Sequence, residues 1–180
     1  MFDSKTNIIL FLVISIILIS ISLFNFAKYK KLLRYSEVPQ NLRKIYESAV
    51  DYGETKHVDP LTGKTYSHRF PVSQNITPSV KCCNGSKPQK CIPGGKGATG
   101  YSPNEWKSDT WKVLKFKIID PHFYRYGFIN SSDSKQKSFK AIAVGDIDCD
   151  GIESSFWRGG YLKNGRVIGS SEIFEKNPNE

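Results

Sequence analysis

The segment Gly145-Asp146-Ile147-Asp148-Cys149-Asp150-Gly151 places carboxylates at alternate positions and ends in a glycine able to turn sharply. Hard cations such as calcium gather several oxygens at about 2.5 Å, and the first half of a calcium loop has this spacing. Asp146, Asp148 and Asp150 are the candidate ligands, and Glu153 is close enough in sequence to add a fourth. A full EF-hand loop would carry a glutamate where Trp157 stands. The competing account is a solvated acidic turn between two strands. No cofactor is certain; calcium is the candidate.

Cys82, Cys83, Cys91 and Cys149 are the second group able to do chemistry. Adjacent cysteines followed by an eight-residue gap do not match zinc-ligand spacing, and His57, His68 and His122 are scattered. Two disulfides are the expectation, in a domain outside the cytoplasm. A bond between neighbours is strained, so one of Cys82 and Cys83 takes Cys91 and the other takes Cys149. The spacing does not choose between these two pairings. No G-x-S-x-G, H-E-x-x-H or Walker-type loop occurs, and an enzyme is not expected.

An apolar helix must carry these groups. Ile8 to Phe26 is an almost unbroken apolar run, interrupted by Ser15, Ser20, Ser22 and Asn25. At about 1.5 Å of rise per residue it just covers a bilayer core of roughly 30 Å. A retained single-span anchor is expected, with membrane lipid as its partner. The net charge is +9 and the isoelectric point about 9.3. Many cations follow the span directly, at Lys28, Lys30, Lys31 and Arg34, while Lys112, Lys115 and Lys117 are read on one strand face. No basic helix or nucleic-acid-binding motif accompanies them, and no nucleic-acid partner is expected. Positive-inside counting would hold the Lys28–Arg34 cluster in the cytoplasm, and the cysteines argue the opposite orientation.

The order of parts follows. Residues 1–6 form a polar leader, 7–27 a transmembrane helix and 28–53 its amphipathic continuation. Leu32, Tyr35, Val38, Leu42, Ile45, Ala49 and Tyr52 recur every three to four residues and define a dry seam. Pro39 predicts a kink and Gly53 a C-terminal cap. Residues 54–180 form the globular domain. Its first part, 54–110, is an irregular loop pinned by the cysteines, and its second, 111–170, is a β-sheet. Strands are expected over Leu114–Ile118, His122–Asn130 and Phe139–Val144, with Ala141 and Ala143 small enough to admit a helix. Asn164-Gly165 marks a hairpin, and Phe174–Pro178 a surface tail. The fold class is α+β: a long kinked helix packed on an antiparallel meander.

Asn25-Phe26-Ala27-Lys28-Tyr29, then Ser36-Glu37, then Asn41-Leu42-Arg43-Lys44-Ile45-Tyr46 is similar to a run found in many bacterial pilins. Arg69-Phe70-Pro71, Thr77-Pro78, Cys82-Cys83, Trp106, Trp111, Asp120-Pro121 and Ala143-Val144-Gly145-Asp146-Ile147-Asp148 resemble the globular domain of myxobacterial-type pilins. The chain as a whole therefore resembles type IV pilins and pseudopilins. That resemblance implies a non-enzymatic inner-membrane protein whose C-terminal domain lies in the periplasm or on the cell surface. It implies other pilin-like subunits and a filament assembly machine as partners, and it decides the orientation in favour of the cysteines. Two parts of the family pattern are missing: no glycine cut site precedes the apolar run, and no glutamate lies in its first residues. The alternative function is a membrane-tethered binding module. It would hold an acidic ligand through the basic loop Lys81–Lys96, or calcium at the Asp146 turn.

Overall fold

The computed structural model describes residues 4–58, 61–66, 68–83, 90–133 and 136–178. The chain divides into two compact units, Met1–Ser36 and Glu37–Glu180. In the first, helix α1 (Ser4–Tyr35) contains Ile8–Phe26, long and apolar enough to cross a membrane. The large apolar side chains from Ile8 to Phe26 are exposed, as a helix surrounded by lipid requires. Ser20 donates its hydroxyl proton to the Ile16 carbonyl at 2.8 Å, so this polar group is satisfied within the helix.

In the second unit, helix α2 (Glu37–Glu54) starts just after a break at Ser36. The interruption falls there and not at Pro39, which occupies the first turn of α2. A proline is tolerated at that position because the first-turn N–H groups have no intrahelical acceptor. In this unit Val38, Leu42, Ile45 and Ala49 are at most 2% exposed, and Tyr52 is half-buried. Tyr35 belongs to the first unit, and the Leu32 side chain lies outside the described part. Gly53 lies inside the last turn rather than capping it. Its role is close approach, since a Cβ there would meet the Phe70 ring at 2.6 Å.

Strands β1 (His57–Val58) and β2 (Thr65–Tyr66) form a small antiparallel pair. Strand β3 (Gln74–Thr77) joins the main sheet, and β4 (Ile92–Pro93) runs parallel to β5 (Gly100–Tyr101). The main sheet contains β6 (Arg125–Asp133), β7 (Gln136–Gly145) and β8 (Ser154–Lys163) as an antiparallel meander. Strands β9 (Arg166–Gly169) and β10 (Phe174–Lys176) both pair with β8, and β3 pairs with β6. The β8–β9 hairpin turns at Asn164 and Gly165, with φ of 52° and 78°, values that Asn-Gly accommodates. The predicted tail is an exposed strand, β10. The predicted boundary between loop and sheet dissolves, because β3 comes from within 54–110.

Helix α2 covers one face of β7, β8 and β9. Phe139, Ala141 and Ala143 of β7 line that face with Tyr126, Phe128 and Phe156 from its neighbours. The two alanines leave room for the helix, and the aromatic rings fill the flanks. Phe139 packs 4.7 Å from Phe70 and 5.5 Å from Tyr46 between ring centres.

The first predicted strand is absent. A 3-10 turn (Pro103–Lys107) and a short helix α3 (Asp109–Val113) precede Leu114–Ile118, which is a turn followed by an extended tail. The Ser108 hydroxyl caps α3 by accepting from the Trp111 N–H at 3.3 Å. Lys115, at φ 52°, ends it, with the Phe116 N–H reaching back to the Trp111 carbonyl at 3.0 Å. Leu114 and Phe116 are buried and Lys115 and Lys117 exposed. The alternation is therefore real, but it comes from a helix cap and its extended tail.

Carboxylates fasten both ends of α2. Glu37 accepts from the Phe123 N–H at 2.9 Å, the Tyr124 N–H at 3.2 Å and the Tyr126 hydroxyl at 2.9 Å. Glu54 accepts from the Val167 N–H at 2.8 Å. Burial pushes the Glu37 carboxyl above its usual range, against the pull of its three donors. Replacing Glu37 by alanine strands these donors. We expect Glu37→Ala to lower the unfolding free energy by roughly 2–4 kcal/mol, and Glu37→Gln, which keeps an acceptor oxygen, by less. Denaturant titration of the full chain in detergent, followed by tryptophan fluorescence, reads both.

Candidate functional site

The acidic residues and the cysteines come together where β7 turns back into β8. Strand β7 ends at Gly145, and a Cβ there would meet the Tyr124 ring at 2.7 Å. The turn then closes on its own backbone. Asp146 accepts from the Cys149 N–H at 2.7 Å and the Gly151 N–H at 3.0 Å, and Asp150 from the Ile152 N–H at 2.7 Å. Cys149 and Gly151 take positive φ, 66° and 96°, which lets the chain reverse. Ile147, 2% exposed, anchors the turn in the core.

The structure pairs Cys82 with Cys91 and Cys83 with Cys149, with Cα atoms 4.4 Å and 5.6 Å apart. This resolves the pairing that the spacing left open. The second cystine ties the acidic turn to the irregular loop. The first sits on an antiparallel bridge in which the Cys91 N–H donates to His122 at 2.8 Å and the His122 N–H to Cys91 at 3.1 Å.

Asp146, Asp148 and Asp150 each offer an oxygen, all within 4.8 Å of one another. Such a cluster has the donor type calcium prefers. Glu153 is not part of it. Its carboxylate accepts from Arg125 Nη2 at 2.7 Å and lies 3.6 Å from Lys81 Nζ. After the reversal at Gly151 the chain runs back along the sheet, which sets Glu153 beside the guanidinium at the start of β6. Nor does the predicted basic loop form one continuous surface of described residues, since 84–89 lie outside them. Lys90 stands over the Phe123 ring at 4.9 Å, and Lys81 is the partner of Glu153.

Sequence reasoning missed His122, which is 3% exposed at the centre of this region. Its Nδ1 is 2.6 Å from the Tyr124 carbonyl, which can only accept, so Nδ1 carries the proton. Nε2 therefore accepts from the Tyr101 hydroxyl at 2.8 Å, and that oxygen accepts from Trp106 Nε1 at 2.9 Å. The signal available in the sequence was position: His122 follows the Asp120-Pro121 turn and directly precedes an aromatic strand. Both ring nitrogens are engaged, so the imidazole is a structural link.

Burial lowers the His122 pKa from its ordinary 6.5 to about 4. A pKa depressed on folding gives stability that is complete above the unfolded value and lost as pH falls through the folded one. Between pH 7 and pH 4 this one group should remove roughly 3 kcal/mol. Glu37, with its raised pKa, acts in the opposite sense. We expect His122→Asn, which does not titrate, to lose this acid-dependent part of the stability curve, measured by denaturation at a series of pH values.

Comparison of the chain with protein-family models, with curated proteins and with solved structures finds no match.

Proposed function

We propose that this chain is a pilin-like, non-enzymatic single-span membrane protein: a divergent or minor subunit of a type IV pilus or type II secretion-like filament. In this reading α1 stays in the inner membrane or enters the filament core, and the domain is held outside the cytoplasm. The observation that carries the reading is the packing of α2. An amphipathic helix that begins one residue after the helix holding the apolar span buries its seam on an antiparallel meander whose alanines admit it. The two cystines support an oxidising compartment. The engagement of both His122 nitrogens supports a structural rather than catalytic centre. Lateral packing of apolar helices would drive assembly through van der Waals contact, since lipid supplies no hydrophobic driving force between helices.

Fractionation of native cells tests this. Surface filaments are sheared off, inner membranes are separated, and both are probed for the protein. We expect it in the sheared filaments. Confinement to the inner membrane would remove the filament part of the proposal and leave an anchored protein.

The convergence of three carboxylates favours one second reading, a tethered domain that binds calcium at the Asp146 turn. Here titration of calcium into the full chain should release or absorb heat and raise Tm, and Asp148→Asn should abolish both. A flat titration eliminates this reading.

A further inference from the structure

The segment that failed to form a strand makes a groove of about 450 Å³. Ile118, Ile119 and Pro103 give it an accessible apolar floor over the buried Trp111 and Phe116, and Lys107, Lys112, Lys115 and Lys117 stand around it. All four lysines are exposed. Lys112 meets Asp109 at 3.1 Å on an open surface, a contact of little strength. Among the described residues, no carboxylate lies within 4.0 Å of Lys107, Lys115 or Lys117. The groove therefore suits an apolar side chain flanked by negative charges.

The chain itself presents such a segment. In the β7–β8 turn, Asp148 and Asp150 are exposed, and Ile152, 49% exposed, lies just after them. Among the described residues no cation comes within 4.0 Å of Asp146, Asp148 or Asp150. The turn is held in shape by the Cys83–Cys149 cystine and the Asp146 hydrogen bonds, and the groove wall by the capped α3. Two rigid surfaces lose little freedom on meeting. Among the described residues no ion pair joins turn to groove within one chain, and their charges are opposite.

We propose that the lysine-rimmed groove of one copy receives the acidic turn of a second, with Ile152 against the apolar floor and Asp148 and Asp150 against the lysines. The two patches differ, so the contact is head-to-tail and can propagate as an open row. It is small beside the roughly 800 Å² per partner of a stable free complex, and so it is weak in solution. Confinement in a membrane or filament raises the effective concentration. The proposal deepens the filament reading and rests on it for that confinement.

The test uses the full chain in phosphatidylcholine vesicles with a chelator present, mixing unlabelled and 15N-labelled protein. A carbodiimide joins lysine amines to carboxylates at zero length. We expect mixed-isotope peptides linking 107–117 to 146–153. Lys107→Glu with Lys117→Glu should reduce them at least tenfold, as should Asp148→Lys with Asp150→Lys. Mixing these two variants should restore the links, because each supplies the charge the other lacks. That recovery also rules out misfolding as the cause of the loss. Absence of the links, indifference to both reversals, or failure of the mixture when both variants keep the wild-type Tm would overturn the proposal. So would a groove variant that loses only its affinity for phosphatidylglycerol vesicles, which would make lipid the occupant. Sheared filaments that contain the protein without these links defeat the contact and spare the filament reading. Links in vesicles with no protein in sheared filaments do the reverse.

Discussion

The folded domain depends on one half-buried carboxylate. Glu37 sits in the first turn of α2, where the helix dipole favours an anion, and it accepts hydrogen bonds from two successive backbone amides and a tyrosine hydroxyl. Removing a charge from water is costly, and three donors offset that cost. The two amides, Phe123 and Tyr124, lie just ahead of β6. The Tyr124 carbonyl receives the His122 ring, and the His122 backbone pairs with Cys91. One acidic side chain thus connects the start of the helix, the start of the meander and the cystine-bearing loop. At the far end, Glu54 repeats the device against β9. Helix α2 is therefore fixed at both ends by directional bonds, and its apolar seam supplies most of the burial in between.

The cystines do for the irregular region what the carboxylates do for the helix. Long loops leave many backbone groups to satisfy and much conformational entropy to lose. The two bonds tie the 80–91 region to itself and to the acidic turn, 66 residues away in sequence. Around them Tyr101, Trp106 and His122 pass hydrogen bonds through a buried interior, and Trp111 donates to the Thr77 hydroxyl at 3.0 Å. Much of this half of the domain is aromatic. Large flat rings fill irregular space that regular elements would otherwise have to fill.

Where the sequence has a clean period, it foretold the fold. The three-to-four spacing from Val38 to Tyr52 marks the buried seam, and the Phe139–Ala141–Ala143 alternation marks the buried face of β7. Asn164-Gly165 marks its hairpin, because only such residues accept two positive φ values in a row. Lys112 to Ile118 misled because a period of two also arises when a helix cap runs into an extended tail. The residue that ends α3 in the left-handed region is Lys115, where glycine would have been the recognisable signal. Nothing local in the sequence marks the role of Glu37, since its partners lie 86 to 89 residues away. The acidic turn was legible as a cluster. Glu153 was assigned to it because proximity in sequence does not reveal the direction in which a returning strand points.

The borders of the sheet constrain how the domain meets other molecules. On one side β3 is four residues long and its register against β6 shifts between Gln74 and Thr77. On the other, two separate short strands, β9 and β10, share the flank of β8, and β10 carries Glu175 and Lys176. Neither border offers the long, flat row of free amides and carbonyls that another backbone could zip onto. Strand addition, domain exchange and amyloid-like stacking are thereby disfavoured. Contacts between copies of this domain must be made by side chains, and the charges those side chains carry then decide which copies can meet.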